Sequence, residues 1–365
     1  MNPKKNKWIL IIILIISLFL IQGCDNNRPG EPINFYRGSD GLTIKFLNNA
    51  PPDRVIENTQ TTVMMELANR GAHTVPRGDA IVYLRYNTMH FSTDVTDQGF
   101  ELSRNPTGIM GQISGKSETW PQGEFTIFPL AKLNVQKIIG TMEAPKTDIE
   151  LITCYKYKTY LTEMICLDTD IYEVDSNPIC RNRGKFSYSN QGAPIAITQL
   201  EVDMLPMGFV DVTPGSPANV PIINETGELI GIAPRTTTES LILLEPVIRI
   251  HSRNVGRGSV FLSKNPELTT PYVCAFNQQS QYTELAALNQ DFNKVKLSNA
   301  TLDGFEMNCD KNTLNLANPN DFISCRLNPE QVGYLRQNFE VPLSIELEYY
   351  YRQSQTKTIE IQRTR

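Results

Sequence analysis

The stretch Val63-Met-Met-Glu-Leu-Ala-Asn-Arg-Gly71 carries the pattern that decides the fold class. Positions 63, 65 and 67 are apolar and alternate with positions 64, 66 and 68. An alternation of period two is typical of a β-strand that buries one face, because successive side chains point to opposite faces. Asn-Arg-Gly is a turn sequence. The stretch therefore predicts a strand that ends in an Asn-x-Gly turn.

Short strand patterns of this kind follow one another along most of the chain. They are rich in Tyr, Thr, Ile and Val, which favour strands. The clearest are residues 42–46, 80–86, 100–103, 124–128, 135–142, 149–157 and 160–167. The one helix candidate, residues 328–336, is short. Many short strands separated by turns predict an all-β protein built as a sandwich or barrel.

The second half of the sequence repeats the order of the first. The matching stretches are residues 41–46 with 192–197, 63–71 with 248–256, 99–102 with 304–307 and 149–151 with 345–347. Four matches in the same order predict a diverged internal duplication. The offset grows from 151 to 185 between the first two matches, so the second copy carries an insertion there. We expect residues 207–239, which contain several Pro and Gly residues, to form this insertion as a long loop.

The N-terminus has the parts of an export signal. Three lysines at positions 4, 5 and 7 precede an apolar run over residues 8–21. The run of about 14 residues is shorter than the roughly 20 that a membrane-spanning helix needs. Residues 1–23 are therefore predicted to be a signal peptide. An uncleaved signal anchor is the alternative, and in both cases the lysines stay inside.

The residues around the expected cleavage point carry a family resemblance. Ile21-Gln-Gly-Cys24 resembles the lipobox of bacterial and archaeal lipoproteins. The resemblance implies that the Cys24 thiol is lipidated, that Cys24 becomes the new N-terminus, and that the rest of the chain lies outside the cytoplasm. Asp25 resembles the residue that often goes with retention at the inner membrane. We expect a protein anchored to the outer face of the cytoplasmic membrane.

The charge of the exported part excludes one class of partner. Removal of residues 1–23 removes three lysines and no acids, so 31 basic side chains face 39 acidic ones, a net charge of −8. Such a chain lacks the basic surface that nucleic acids and anionic lipid headgroups require. Nucleic acid is therefore not expected as a partner.

Six cysteines follow Cys24, three in each half. They are Cys154, Cys166, Cys180, Cys274, Cys309 and Cys325. An even number in an oxidising compartment predicts disulfides, although the sequence alone does not select the pairing. The short separations favour Cys309–Cys325 first and Cys166–Cys180 second. Cys154 then either pairs with Cys274 across the halves, or both are free thiols.

A second resemblance concerns the body of the chain. An Asn-x-Gly turn that closes an alternating strand in a two-copy all-β chain resembles the adhesion-type immunoglobulin-like (CARDB-like) domains of archaeal and bacterial surface proteins. The resemblance implies two tandem β-sandwich domains that act as spacers or bind surface polymers or proteins, without catalytic residues. The expected organisation is a lipidated Cys and flexible tether over residues 24–40, domain 1 over 41–172, a linker over 173–190 and domain 2 over 191–365.

Two groups of side chains are candidate ligand sites. The acidic stretch with Asp168, Asp170, Glu173 and Asp175 could bind calcium through its carboxylates, although the EF-hand pattern is absent and a solvated acidic linker is the alternative. The tyrosine-rich strands could form an aromatic platform for glycans. The tyrosines concerned are Tyr155, Tyr157, Tyr349 and Tyr351. Core packing of tyrosine, a good strand former, is the alternative.

The remaining motifs indicate no reaction. Asn224 and Asn299 each begin an N-glycosylation acceptor motif. The three histidines, His73, His90 and His251, have no neighbour at metal spacing, and no hydrolase motif is present. We expect a protein that is not an enzyme and needs no cofactor. Its predicted role is structural or adhesive, through contacts with other surface proteins or polymers, and a glycan- or calcium-binding module is the alternative.

Overall fold

A computed structural model describes most of the chain that follows the tether. The described residues are 35–93, 100–101, 112–140, 143–168, 180–181, 183–212, 220–223, 229–233, 239–268, 270–274, 290–328 and 338–364. The predicted signal peptide, Cys24, the first part of the tether and most of the helix candidate lie outside these residues. Within the described part, no helix is long and apolar enough to span a membrane.

The described residues confirm the prediction of an all-β protein. One short helical segment, α1 (Thr270–Val273), accompanies the strands. The strands are β1 (Leu42–Phe46), β2 (Arg54–Ile56), β3 (Gln60–Asn69), β4 (Ala80–Tyr86), β5 (Phe91–Thr93), β6 (Phe100–Glu101), β7 (Phe125–Val135), β8 (Lys146–Asp168), β9 (Lys185–Ser187), β10 (Ile195–Val212), β11 (Val220–Ile223), β12 (Leu229–Ala233), β13 (Glu239–Asn254), β14 (Ser259–Ser263), β15 (Gln290–Phe292), β16 (Lys294–Leu302), β17 (Phe305–Glu306), β18 (Asn308–Cys309), β19 (Thr313–Asn315), β20 (Ile323–Arg326) and β21 (Asn338–Gln362).

Two long strands, one from each half, form the centre of the molecule. β8 and β21 pair antiparallel along the whole of β8, from Lys146 opposite Glu360 to Asp168 opposite Asn338. β4 pairs with the outer edge of β8, and β14 and β16 pair with the outer edge of β21. One large sheet, the central sheet, therefore contains strands from both halves.

Two smaller sheets share one core with the central sheet. The first-half sheet has the order β1-β3-β7-β5, and the second-half sheet has the order β9-β10-β13-β20-β18. β1 contacts both long strands, and β10 contacts β8. Most buried side chains of the three sheets belong to one hydrophobic cluster, which includes Leu42, Leu67, Ile195, Ile250 and Leu347. The layered arrangement is β-sandwich-like, and residues Phe35–Arg365 form one compact unit.

The matched stretches of the two halves occupy corresponding places. Residues 42–46 form β1 and residues 195–197 begin β10, and each of these strands pairs with the strand that ends in Asn-x-Gly. The matched residues 149–151 and 345–347 lie in β8 and β21, although the pairing of these strands makes 149–151 correspond to 343–345. In the pairing of these two strands, Tyr155 lies opposite Tyr351 and Tyr157 opposite Tyr349. A local twofold relation therefore links the long strands, centred on the pair of Lys156 and Tyr350.

The predicted long loop over residues 207–239 is wrong. β10 continues to Val212 and β13 begins at Glu239, and the two pair to their ends. β11 and β12 form a further hairpin within the same stretch. Proline and glycine did not prevent strand formation because the register shifts between Pro206 and Gly208, and such irregularities accommodate both residue types.

Two of the three disulfides are those that the spacing favoured, and the third is one of the two alternatives left open for Cys154 and Cys274. Cys309–Cys325 and Cys166–Cys180 close short segments, and Cys154–Cys274 joins β8 to the residue after α1. Cys154 and Cys274 are fully buried, in a second small cluster with Ile81, Phe261 and Val273. This third bond therefore links a first-half strand to a second-half segment, and the alternative of two free thiols is excluded.

Candidate interaction surface

The four tyrosines that were predicted as a glycan platform are buried, so that prediction is wrong. Tyr155, Tyr157 and Tyr349 have no exposed surface, and Tyr351 has 1%. Alternate residues of a strand share a face, and in both long strands the face that carries these tyrosines points into the core. Their ring centroids lie 5.5 to 6.5 Å apart in a closed group of four. Burial raises the pKa of Tyr155 and of Tyr157.

Tyr157 and the first Asn-x-Gly turn form a buried group of hydrogen bonds, which we call the first clasp. The Asn69 Oδ1 accepts hydrogen bonds from the Tyr157 hydroxyl at 3.1 Å and from the Gly71 N–H at 3.2 Å. The Asn69 Nδ2 donates to the carbonyls of His73 at 2.8 Å and Ile113 at 3.1 Å. Asn69 has no exposed surface. A Cβ on Gly71 would collide with the Tyr157 hydroxyl, so this position requires glycine.

Tyr351 and the second Asn-x-Gly turn repeat the clasp at the surface. The Asn254 Oδ1 accepts from the Tyr351 hydroxyl at 3.1 Å and from the Gly256 N–H at 3.2 Å, and its Nδ2 donates to the Gly258 carbonyl at 2.9 Å. Asn254 is exposed. A Cβ on Gly256 would again collide with the tyrosine hydroxyl. The Asn-x-Gly signal is thus a structural device that holds a core tyrosine in each half.

His73 lies beside the first clasp and next to a group of charges. Its ring contacts Tyr157 edge-on, with 5.2 Å between centroids. Burial, with a contribution from the positive charge of Lys158, lowers the pKa of His73 from 6.5 to about 4. Lys158 forms an ion pair with Glu346 at 2.7 Å, and this contact raises the pKa of the lysine. His73 is therefore a neutral, half-buried side chain at neutral pH, and the group has the character of a structural ion-pair network.

The other predicted site residues are dispersed. Asp168 ends β8, whereas Asp170, Glu173 and Asp175 lie outside the described residues, as do Asn224 and Cys24. Asn299 is exposed on β16, where its glycosylation stays a prediction. Among the residues that the structure describes, no three His, Cys, Asp or Glu side chains are grouped so that they could hold a metal ion.

An open cleft of about 500 Å³ lies between the two long strands and the residues that follow Cys180. Glu163 and Glu340 line it from the two long strands, and Arg181 and Arg183 line it from the segment before β9. Two guanidinium groups and two carboxylates balance each other. The charges of this cleft therefore select no class of ligand.

The outer face of the first-half sheet presents apolar side chains to solvent. β7 places Phe125 and Ile127 on this face, where they are 55% and 45% exposed. Phe128 and Leu130, on the other face, are buried in the core. Trp120, in the turn that leads into β7, is 43% exposed. We call Trp120, Phe125 and Ile127 the apolar face.

Polar groups lie between the members of the apolar face. Glu66 is the cross-strand partner of Ile127 on β3. Arg70 forms an ion pair with Glu66 at 3.7 Å and donates a hydrogen bond to the Gln122 carbonyl at 3.2 Å, which ties the Trp120 turn to the end of β3. A carboxylate thus lies beside Ile127, and a guanidinium contacts the turn that contains Trp120.

The outer face of the second-half sheet carries several ion pairs. Arg249 on β13 forms ion pairs with Asp203 at 2.7 Å and with Glu201 at 3.5 Å, both on β10. Lys185 on β9 lies 3.9 Å from Glu201. In the match between residues 63–71 and 248–256, Arg249 stands where the first half has Met64. Ion pairs thus lie on the outer face of this sheet, and Leu205 and Met207 are exposed further along β10.

The sequence located the strand that carries the apolar face, but not the face itself. Residues 124–128 were predicted as a strand, and both of its faces carry large apolar side chains, Phe125 and Ile127 on one and Phe128 on the other. When both faces are apolar, a period of two does not tell which one is buried. The comparison with the charged second-half sheet is the signal that singles out the surface. No protein-family model matches this chain, and no curated protein matches it significantly.

Proposed function

We propose that this chain is an exported lipoprotein with a structural or adhesive role at the outer face of the cytoplasmic membrane. A lipid on Cys24 holds it to the bilayer, a polar tether follows, and two immunoglobulin-like halves present contacts to other surface molecules. Stable anchoring needs two acyl chains, which a diacylated cysteine supplies. The apolar face of the first-half sheet is the contact surface in this proposal.

The observation that carries the proposal is the exposed apolar face. Exposed apolar patches of about a few hundred Å² on monomeric soluble proteins are often functional. The second-half sheet carries ion pairs on its outer face and exposes Leu205 and Met207 further along β10.

Three disulfides support the location. Such bonds form and persist in oxidising compartments and are rare where thiols are kept reduced. Cys154–Cys274 bridges the halves in the buried core of the central sheet, so its formation belongs to the folding of the whole unit. The bonds agree with an extracytoplasmic protein and with the export signal in the sequence.

Two measurements test the proposal. Mass spectrometry of the membrane-extracted protein gives the mass of its N-terminal peptide, which we expect to begin at a diacylated Cys24. A crosslinked pull-down from intact cells then tests adhesion, and we expect Phe125→Lys to reduce the captured material. Recovery of a soluble cytosolic product with reduced cysteines would refute the location, and equal capture by the variant would refute the contact surface.

The second candidate function is a glycan- or calcium-binding surface module. The apolar face, with its two exposed aromatic rings and adjacent charges, favours the glycan form of this alternative. For calcium, the measurement is a shift in melting temperature on adding the ion.

A further inference from the structure

The last part of the tether is held against the rest of the compact unit Phe35–Arg365, which we call the body. The Lys116 Nζ donates a hydrogen bond to the Arg37 carbonyl at 2.8 Å. The Gly38 N–H donates to the Asn190 Oδ1, also at 2.8 Å. The tether therefore joins the body at a defined place, between a turn of the first half and the segment before β10.

Two exposed aromatic side chains belong to the segments that are joined there. Tyr36 directly precedes Arg37 and is 53% exposed. Trp120 is 43% exposed and lies in the same turn as Lys116. In this turn the Ser117 N–H donates to the Trp120 carbonyl at 3.0 Å, and the Trp120 N–H donates to the Ser117 Oγ at 3.1 Å. Each ring thus belongs to one of the two segments that the hydrogen bond from Lys116 to Arg37 connects.

We infer that Tyr36 and Trp120 lie in the headgroup region of the bilayer that holds the lipid anchor. This inference rests on the proposed anchoring at Cys24 and adds a second contact with the same membrane. Phe35 is 11 residues after Cys24. An extended chain spans at most about 3.5 Å per residue, so Phe35 stays within about 40 Å of the anchored sulfur, and a flexible chain of this length averages about 20 Å. The anchor therefore keeps the joining place close to the membrane, whereas no such limit holds the distant parts of the body.

The chemistry of both side chains suits lipid headgroups. Tyrosine and tryptophan are enriched at membrane–water interfaces, because one end of the side chain is apolar and the other forms hydrogen bonds. The charges around the rings favour neither sign. Residues 35–41, 66–70 and 114–124 carry three cations and four acids, which are Arg37, Arg70, Lys116, Asp40, Glu66, Glu118 and Glu124. The contact therefore depends on the rings and suits a zwitterionic lipid such as phosphatidylcholine.

A weak contact is sufficient because the anchor supplies the attachment. Two partly exposed rings bury too little apolar surface to bind a free protein to a membrane. A short tether holds the body at a high effective concentration near the bilayer, so that contacts of low intrinsic affinity form. Lipid contact at Trp120 orients the body and leaves Phe125 and Ile127 on β7 for the adhesive contacts.

The test uses Trp120 as its own reporter. The chain has two tryptophans, and in a Trp8→Phe background Trp120 is the only one, whether or not the signal is cleaved. The membrane-extracted protein is reconstituted into phosphatidylcholine vesicles, with and without bromine on the acyl chains close to the headgroup. We expect brominated lipid to quench the fluorescence of Trp120. The quenching should not depend on salt, because the local charges are nearly balanced.

Two changes should weaken the quenching. Insertion of about 40 Gly and Ser residues after Asn27 lengthens the tether and should lower the effective concentration about tenfold. Tyr36→Asp replaces one of the two rings by a charge and should reduce the quenching at least about twofold.

The matched control moves the reporter away from the tether. Ile139 is 86% exposed and lies next to Arg363, beyond the end of β21. The tether instead joins the body where the Asp40 carbonyl lies near the hydroxyl of Tyr157, which pairs with the middle of β21. Half the length of β21, or roughly 40 Å, separates the two places. We expect little quenching in the variant Trp120→Phe/Ile139→Trp.

Flotation of the vesicles and the mass of the N-terminal peptide report the anchor separately. All variants should keep the melting temperature of the wild type. Anchored protein in which Trp120 is quenched no more than the tryptophan of the control would overturn the lipid contact and leave the proposed function standing. Protein that neither floats with the vesicles nor carries lipid on Cys24 would overturn the anchor and the lipid contact together.

Discussion

The two Asn-x-Gly clasps use the same hydrogen bonds in different surroundings. In both, the asparagine Oδ1 accepts from a core tyrosine and from the glycine N–H, and Nδ2 donates to the carbonyl four residues further on. The first asparagine, Asn69, is fully buried, whereas Asn254 is exposed. The same motif is therefore part of the core in one half and part of the surface in the other. The two halves share these hydrogen bonds and differ in how deeply the asparagine is buried.

The covalent link between the halves gives the largest expected effect. Cys154 and Cys274 are 120 residues apart, and Cys309 and Cys325 are 16 apart. In the chain-entropy model, a bond that closes a loop of the first size contributes about 5 kcal/mol, and one of the second size about 3 kcal/mol. We expect the double variant Cys154→Ala/Cys274→Ala to lose more free energy of unfolding in urea than Cys309→Ala/Cys325→Ala.

A second measurement shows whether loop size is the cause. Both double variants and the wild type are unfolded again after complete reduction, where the differences between them should shrink. Equal losses of the free energy of unfolding in the oxidised state would mean that Cys154–Cys274 stabilises the fold no more than Cys309–Cys325 does. The halves would then be held together by the pairing of β8 with β21 alone.

Burial predicts unequal effects of the same substitution in the two clasps. Asn69→Ala leaves the carbonyls of His73 and Ile113, the Gly71 N–H and the Tyr157 hydroxyl without their partner in a dry environment. Because each unsatisfied buried group costs about 1–3 kcal/mol, we expect a loss of at least about 3 kcal/mol. Asn254→Ala exposes its partners to water and should cost about 1 kcal/mol. Urea unfolding followed by circular dichroism measures both, and similar losses would contradict the distinction.

The first clasp should also respond to pH. In the first clasp, the fourth residue after Asn69 is His73. In the second clasp, the fourth residue after Asn254 is Gly258. The folded pKa of His73 is about 4, below the ordinary 6.5, because of burial. Between these values the unfolded chain takes up a proton that the folded chain does not, so stability falls as pH is lowered. We expect a loss of about 2 kcal/mol from pH 6.5 to 4.

The variant His73→Gln isolates this contribution. It removes the titrating ring and should flatten the fall in melting temperature between pH 6.5 and 4. The matched control is His90→Gln, in the turn before β5, which should keep the wild-type slope. A slope that persists in His73→Gln would assign the pH response to the carboxylates instead.

The sequence predicted individual strands and turns better than the way in which distant strands pair. The strand at residues 63–71 and its match at 248–256 have the place and ending that were expected, because period and turn chemistry are local properties. Cys309–Cys325 and Cys166–Cys180 also agree with the expected pairing, and Cys154–Cys274 is one of the two alternatives that the sequence left open. The antiparallel pairing of β8 with β21 joins residues nearly 200 positions apart. No local pattern specifies such a partner, so the shared central sheet could not be foreseen.

Two of the wrong predictions have a common cause. Tyr349 and Tyr351 were correctly expected to share one side of a strand, but nothing in the strand itself tells which side meets the core. The prolines and glycines of residues 207–239 indicated a loop, yet Gly208 lies at a register shift in the pairing of β10 with β13, and Pro221 lies opposite Ile232 in the hairpin of β11 and β12. In both cases the outcome depends on a neighbouring strand that is distant in sequence. The two predicted immunoglobulin-like domains depend on such pairings as well, and they stay a prediction.

The smallest expected effects concern the outer faces of the two outer sheets. Arg249→Ala breaks the contacts with Asp203 and Glu201, which are partly exposed, so the loss should be about 0.5 kcal/mol and should vanish at high salt. Phe125→Ala should change the free energy of unfolding by no more than about 0.5 kcal/mol, since its ring is mostly in water. Urea unfolding at low and high salt measures both. A loss of several kcal/mol at Phe125 would mean that the apolar face supports the fold, and its exposure would then give no reason to expect a ligand there.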